Sequence, residues 1–303
     1  MVTVVRMDRA RRPSRATLVG RLAVAVGIVC VLAVLWVGRQ LWTAAVCSSF
    51  SVAPAWSSQN RIAFRSVSGL WQIRPDGTDR RRLTGCGSSG SYHSPAWSPD
   101  GKQLAVSDET NNIALLSETG MKVRTLPGGA DPAWSPDGRL IAFVDASSTY
   151  KARVAGDYVP PTSYLSVVRP DGTVRRPIPT RFEFTISHPS WSPDQSELVV
   201  YDQNGLLLVQ VATGRTRTLG DIGARDPAWS PTGTWIAYAR DNGIWLIQPN
   251  GTHDHLITHG APSGEASSPT WSPDGSKIAY VAGDAINIVT ENGSRPRLLA
   301  STS

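Results

Sequence analysis

Residues 132–144 read PAWSPDGRLIAFV, from Pro132 to Val144, and this stretch decides the fold. It holds a tryptophan, a Pro-Asp-Gly turn and a short apolar run. Proline presets φ for the turn and glycine takes its positive-φ corner, so the chain reverses and enters a strand at Ile141-Ala142-Phe143. The unit recurs: Pro-x-Trp-Ser appears six times, at Trp56, Trp97, Trp134, Trp191, Trp229 and Trp271, with spacings of 41, 37, 57, 38 and 42 residues. A self-similar period near 40 belongs to propeller blades or to helical arrays.

The local pattern chooses between them. After each tryptophan comes an apolar triplet: Ile62-Ala63-Phe64, Leu104-Ala105-Val106, Ile141-Ala142-Phe143, Leu198-Val199-Val200, Ile236-Ala237-Tyr238 and Ile278-Ala279-Tyr280. A third strand follows, then a second glycine turn at Gly77, Gly120, Gly172, Gly214, Gly251 and Gly293, then a fourth strand rich in arginine. Four short strands per unit with closely spaced turn signals predict an all-β chain. Six such units predict a six-bladed β-propeller of four-stranded blades over residues 51–303.

The PxWSPDGxxIAF pattern with an Arg-Leu-Thr strand resembles the WD40-like (PD40) repeats of the TolB-type propeller family. The resemblance covers residues 51–303. Repeat 1 departs from it at Ser57-Ser58-Gln59-Asn60, repeat 4 at Gln195 and repeat 5 at Thr232. TolB-type proteins carry an α/β domain ahead of the propeller. Here about a dozen residues separate an apolar run from the first blade, so the family's Tol-Pal role is not implied.

That run, Leu22 to Gly38, has 17 residues without a charge. At 1.5 Å rise it reaches roughly 25 Å, short for a membrane span but extended by snorkelling from Arg21 and Arg39 and by an anchor at Trp42. Six arginines precede it and one follows, which predicts a cytoplasmic tail at 1–21, a single-pass anchor at 22–38, a linker at 39–50 and an extracytoplasmic propeller. A cleaved signal peptide ending near Thr43-Ala44-Ala45 is the competing reading, and both place the body outside the cytoplasm. Cys47 and Cys86 then lie where disulfides form, and a bridge between them is expected, with two unpaired thiols as the alternative.

The charge follows the same division. The chain carries +6, but seven arginines and one aspartate fall in residues 1–50, leaving 23 bases and 23 acids in the rest. A neutral body does not bind nucleic acid through bulk charge.

One tryptophan per repeat at constant phase is what packing between blades requires, so these six are read as structural. Arginines of the fourth strands (Arg80, Arg81, Arg82, Arg124, Arg175, Arg176, Arg215, Arg217, Arg295, Arg297) are read as protection of outer edges, or as a basic rim for anionic envelope components. More informative is the residue ahead of each repeated proline: Ala53, Ser94, Asp131, His188, Asp226 and Ser268. In TolB-like propellers the innermost strand starts there, so Asp131, His188, Asp226, Ser94 and Ser268 are expected around one mouth of the central channel. They either bind a ligand or hold local backbone amides. His253, His255 and His259 are read as solvated edge positions, with a surface metal site as the alternative. Repeat 3 is long because of an insertion at about 145–163. Its Tyr150, Lys151, Arg153 and Tyr158 resemble interface composition and form a second candidate binding region.

No G-x-S-x-G elbow, P-loop, CxxC or dinucleotide fingerprint occurs, and no cofactor or metal is expected. The expected function is a non-enzymatic binding platform for an envelope protein or small polar ligand. The alternatives are a lactonase-type propeller hydrolase and an accessory propeller of a peptidase system.

Overall fold

The computed structural model describes residues 53–302, apart from 86–91, 146–163, 181, 183, 221, 261–263 and 295. Among the described residues the strands form six separate four-stranded antiparallel sheets, each built from consecutive strands of one repeat. The described residues form an all-β six-bladed propeller, as the repeats predict. The innermost strands all end on the repeated tryptophan: β1 (Ala55–Trp56), β5 (Tyr92–Trp97), β9 (Ala130–Trp134), β13 (Ser187–Trp191), β17 (Arg225–Trp229) and β21 (Ala266–Trp271). The outermost strands are β4 (Arg81–Gly85), β8 (Lys122–Leu126), β12 (Arg176–Pro177), β16 (Thr216–Thr218), β20 (His255–His259) and β24 (Arg297–Ser301).

Side-chain alternation explains the apolar triplet. Successive residues of a strand point to opposite faces, and in a propeller both faces meet a neighbouring blade. The middle residue of each triplet packs toward the following blade, and the two flanking residues toward the preceding one. Ala63 packs with Trp97, Ala105 with Trp134, Ala142 with Trp191, Ala237 with Trp271, and Ala279 with Trp56. In blade 4 Val199 takes this place beside Trp229. The small middle residue is therefore the socket for the next blade's indole, and the core is a ring of six interfaces. At about 25 cal/mol per Å², an indole burying roughly 200 Å² contributes at most about 5 kcal/mol.

The turn residues have equally local causes. In Ser-Pro-Asp-Gly the Ser98 hydroxyl donates to Asp100 Oδ1 at 2.6 Å and accepts the Gln103 amide at 2.9 Å. The same pair forms at Ser135 and Asp137, at Ser192 and Asp194, and at Ser272 and Asp274. The Ser272 hydroxyl, with the Ser276 amide, brings the Asp274 pKa down to about 2. Repeats 1 and 4 keep the turn without glycine, because Asn60 and Gln195 adopt the left-handed conformation, with φ of 57° and 64°. At the second turn glycine answers a close approach: a Cβ on Gly214 would lie 2.2 Å from the Pro179 carbonyl oxygen of the preceding blade.

Blades 1 and 6 close the ring by packing against each other. Ile62 and Phe64 of blade 1 share one cluster with Ala279, Ile286 and Ile288 of blade 6. The seam is stitched by Val67 N to Thr302 O at 3.3 Å and by Arg80 to the Ser301 carbonyl at 3.2 Å.

The outer arginines do more than guard edges. Arg81, Arg217 and Arg297 each donate to a carbonyl in the second glycine turn of the next blade, those of Glu118, Pro249 and Pro75. Arg175 donates to the Pro127 and Gly128 carbonyls and to Asp145, and lies 4.6 Å from the Phe143 ring centre.

Among the described residues no helix is long and apolar enough to cross a membrane. The apolar run 22–38, Cys47, Cys86, and the loop residues Tyr150, Lys151, Arg153 and Tyr158 lie outside the described residues.

Candidate functional site

The innermost strands build the site by a repeated irregularity. In blades 2 to 6 the pairing of the first two strands slips beside the repeated proline, for example between His93 and Ala96 and between Ser187 and Ser190. At each slip the residue ahead of the proline takes a left-handed φ: Ser94 48°, Asp131 49°, His188 50°, Asp226 53° and Ser268 50°. None is glycine, so each conformation costs on the order of 1–2 kcal/mol. A bulge re-aims a side chain, and here five are re-aimed into one cavity of about 470 Å³. Ala53 completes the ring from blade 1. The cavity walls continue through the repeated alanines and tryptophans to the prolines of the first turns. Those prolines lie five positions further along, roughly 16 Å of extended chain.

The five side chains are joined across blades. Ser94 Oγ donates to Asp131 Oδ1 at 2.7 Å, and the His188 amide donates to Asp131 Oδ2 at 3.3 Å. Asp226 Oδ2 accepts the Ser268 amide at 3.1 Å and its hydroxyl at 3.4 Å. His188 sits between the carboxylates, with Nδ1 3.7 Å from Asp131 Oδ2 and 3.8 Å from Asp226 Oδ1. The arc Ser94–Asp131–His188–Asp226–Ser268 thus spans five blades and opens only at Ala53. These carboxylates hold groups of neighbouring blades rather than amides of their own turns.

Electrostatics follow from the arrangement. Burial opposes charge on His188, but the Asp131 and Asp226 carboxylates outweigh it and raise the imidazole pKa above its ordinary value. Burial likewise opposes charge on Asp131, but His188, the Ser94 hydroxyl and the His188 amide hold its carboxyl below the usual range. His188 Nδ1 is buried and makes no hydrogen bond among the described residues. The side chain is nevertheless 27% exposed and lines the cavity.

Three further residues belong to this end of the channel and were not expected from sequence. Tyr201 stacks on His188 at 5.7 Å between ring centres, and burial with the two carboxylates pushes its hydroxyl up to about 12. Ser107 Oγ accepts the Asp131 amide at 2.9 Å. Arg65 is a buried cation with Glu109 as countercharge. Arg65, Ser107 and Tyr201 occupy the place after the apolar triplet, where blades 3, 5 and 6 carry Val144, Ala239 and Val281. A polar residue at an otherwise apolar repeat position is the signal that marks them.

The histidines of repeat 5 are all exposed. His253 Nδ1 lies 2.9 Å from Thr252 Oγ1, His255 Nδ1 lies 2.8 Å from the His253 carbonyl, and the His255 ring meets Trp235 edge-on at 5.3 Å. Among the described residues no group of three or more His, Cys, Asp or Glu side chains is placed to hold a metal ion.

Fold and site together define a six-bladed β-propeller with a polar arc in its channel. Residues 208–290 match the family model described as the dipeptidyl peptidase IV N-terminal region. No curated protein matches the chain. Among solved structures it is similar to a putative TolB from Agrobacterium tumefaciens, at 21% identity over 73% of this chain and 84% of that one, with a TM-score of 0.59. TolB from Acinetobacter baumannii is similar at 17% identity and a TM-score of 0.59, covering 82% of this chain and 62% of its own. A gluconolactonase from Xanthomonas campestris reaches a TM-score of 0.60 at 16% identity, over 81% of this chain and 85% of that one. At these identities the likeness is one of fold.

Proposed function

We propose that this protein is a binding platform of the cell envelope: an extracytoplasmic propeller, tethered through residues 22–38, that captures its ligand in the channel and carries out no reaction on it. The observation behind this reading is the ring of five left-handed, non-glycine residues whose side chains converge in one cavity. A fold that keeps costly conformations at equivalent places in five blades, while varying the residue at each, is using them for recognition. The arginine-flanked apolar run supplies the anchor and the neutral body the outward domain. Loop residues Tyr150, Lys151, Arg153 and Tyr158 are proposed as a second contact with a protein partner.

The test is affinity capture from membranes with the full chain, compared with Asp226→Asn. Capture of a specific envelope component by the parent chain and its loss in the variant supports the platform. Equal capture by both refutes the channel as the site. The match of residues 208–290 to the dipeptidyl peptidase IV N-terminal region favours one second reading, an accessory propeller serving a peptidase. Under it the captured component is a peptidase, and a peptide substrate displaces nothing from the channel.

A further inference from the structure

We propose that the channel takes a ligand with a cationic head, a primary ammonium or guanidinium on an apolar stem, and that this head competes with the proton on His188. The proposal rests on the channel being the binding site, and adds the chemistry of what enters it.

The charge count comes first. Asp131 and Asp226 face one imidazole, so the arc carries −1 with His188 protonated and −2 with it neutral. Other groups at this end leave that balance unchanged. Tyr201, stacked on the imidazole, keeps its proton. His93, beside Ser94, is pushed down by burial, toward its neutral form, against the pull of Asp131 and Asp108. Arg65 has Glu109 as its countercharge. The cavity therefore lacks one positive group whenever His188 is neutral.

Geometry shows where that group sits. Asp226 Oδ2 takes both the amide and the hydroxyl of Ser268, the carboxylate also accepts the Tyr201 hydroxyl, and Oδ1 has His188 Nδ1 at 3.8 Å, beyond hydrogen-bond reach. A neutral imidazole that keeps its Nδ1 proton between the two carboxylates has its lone pair on Nε2. Nε2 is then an acceptor for an N–H donor whose positive charge the carboxylates attract. An anion meets two carboxylates at the same place. A neutral hydroxyl gains nothing from the loss of the His188 proton. Beyond the arc the walls are alanine, proline and tryptophan side chains, which suit an alkyl or extended stem.

The linkage sign is fixed by this competition. Protonated His188 already supplies the positive charge, so binding a cation displaces one proton. Affinity is weak below the raised imidazole pKa and tightens by up to about tenfold per pH unit through that titration.

The experiment is titration calorimetry on the full chain in detergent with n-butylammonium, n-butanol and butyrate. Runs below and above the His188 titration, in two buffers of different ionisation enthalpy, count the protons released. Supporting results are binding of n-butylammonium that tightens with pH and releases about one proton, loss of that binding in Asp226→Asn, and pH-independent binding in His188→Gln. Butyrate or butanol binding as well as the ammonium, or ammonium binding with no proton released, overturns the cationic class. If no probe binds while Asp226→Asn still abolishes membrane capture, the cationic head falls and the platform stands. If Asp226→Asn captures normally, the platform itself falls.

Discussion

Two sets of residues repeat once per blade, three positions apart on the same strand, and they behave in opposite ways. The tryptophan is identical in all six repeats and packs beside the middle residue of the preceding blade's triplet. The residue ahead of the proline shares one strained backbone in five blades but differs in chemistry: serine, aspartate, histidine, aspartate, serine. Sameness at the tryptophan answers a packing problem posed six times. Variety on a fixed, costly backbone is what the recognition role proposed for the channel would use.

The largest effect that separates the two sets is on stability. Trp271→Ala empties the socket at Ala237 and is expected to cost about 3–5 kcal/mol in denaturant unfolding. An intermediate effect comes from Gly214→Ala. Its new Cβ meets the Pro179 carbonyl in a left-handed turn, and the same measurement should show a loss of about 1–3 kcal/mol. Removing the His188 charge works through pH. The folded-state pKa is raised, so the stabilisation from this imidazole is fully present below the unfolded value and disappears as pH rises through the folded one. His188→Gln should therefore be less stable than the parent chain in acid and converge with it in alkali, as read by unfolding midpoints across pH. The smallest effect runs the other way. Ser268→Gly relieves a left-handed backbone and gives up a 3.4 Å hydroxyl contact, so a gain of about 0.5–1 kcal/mol is expected.

The same contrast explains what could be read in advance. Trp-Ser-Pro-Asp-Gly-x-x-Ile-Ala-Phe encodes packing and turn chemistry locally, so blade number, strand order and turn positions were legible. Asp131, His188 and Asp226 stood out because they are polar at one repeat phase. Their left-handed backbones were not legible, since a residue before proline ordinarily reads as extended. Nor was the reach of Asp131 and Asp226 to groups on neighbouring blades, which depends on how blades register around the axis. Tyr201 directly follows an apolar triplet, and its stacking on His188 depends on the bulge at the repeated proline, which the repeat pattern does not carry. The outer arginines looked like edge protection because their carbonyl partners lie on another repeat, about 30 residues on for Arg217 and Pro249.

On the proposed function, the arc of side chains serves recognition while the tryptophan ring carries the fold. The measurement that tests it most directly is made on a chain in which Ser94, Asp131, His188, Asp226 and Ser268 are all glycine. Removing every partner together leaves no side-chain charge of the arc buried alone, and five relieved backbones offset the lost cross-blade bonds. The unfolding free energy is expected to stay within about 2 kcal/mol of the parent chain, with capture of the envelope component gone. Collapse of the fold to the level of Trp271→Ala, or capture that survives the loss of all five side chains, would contradict it.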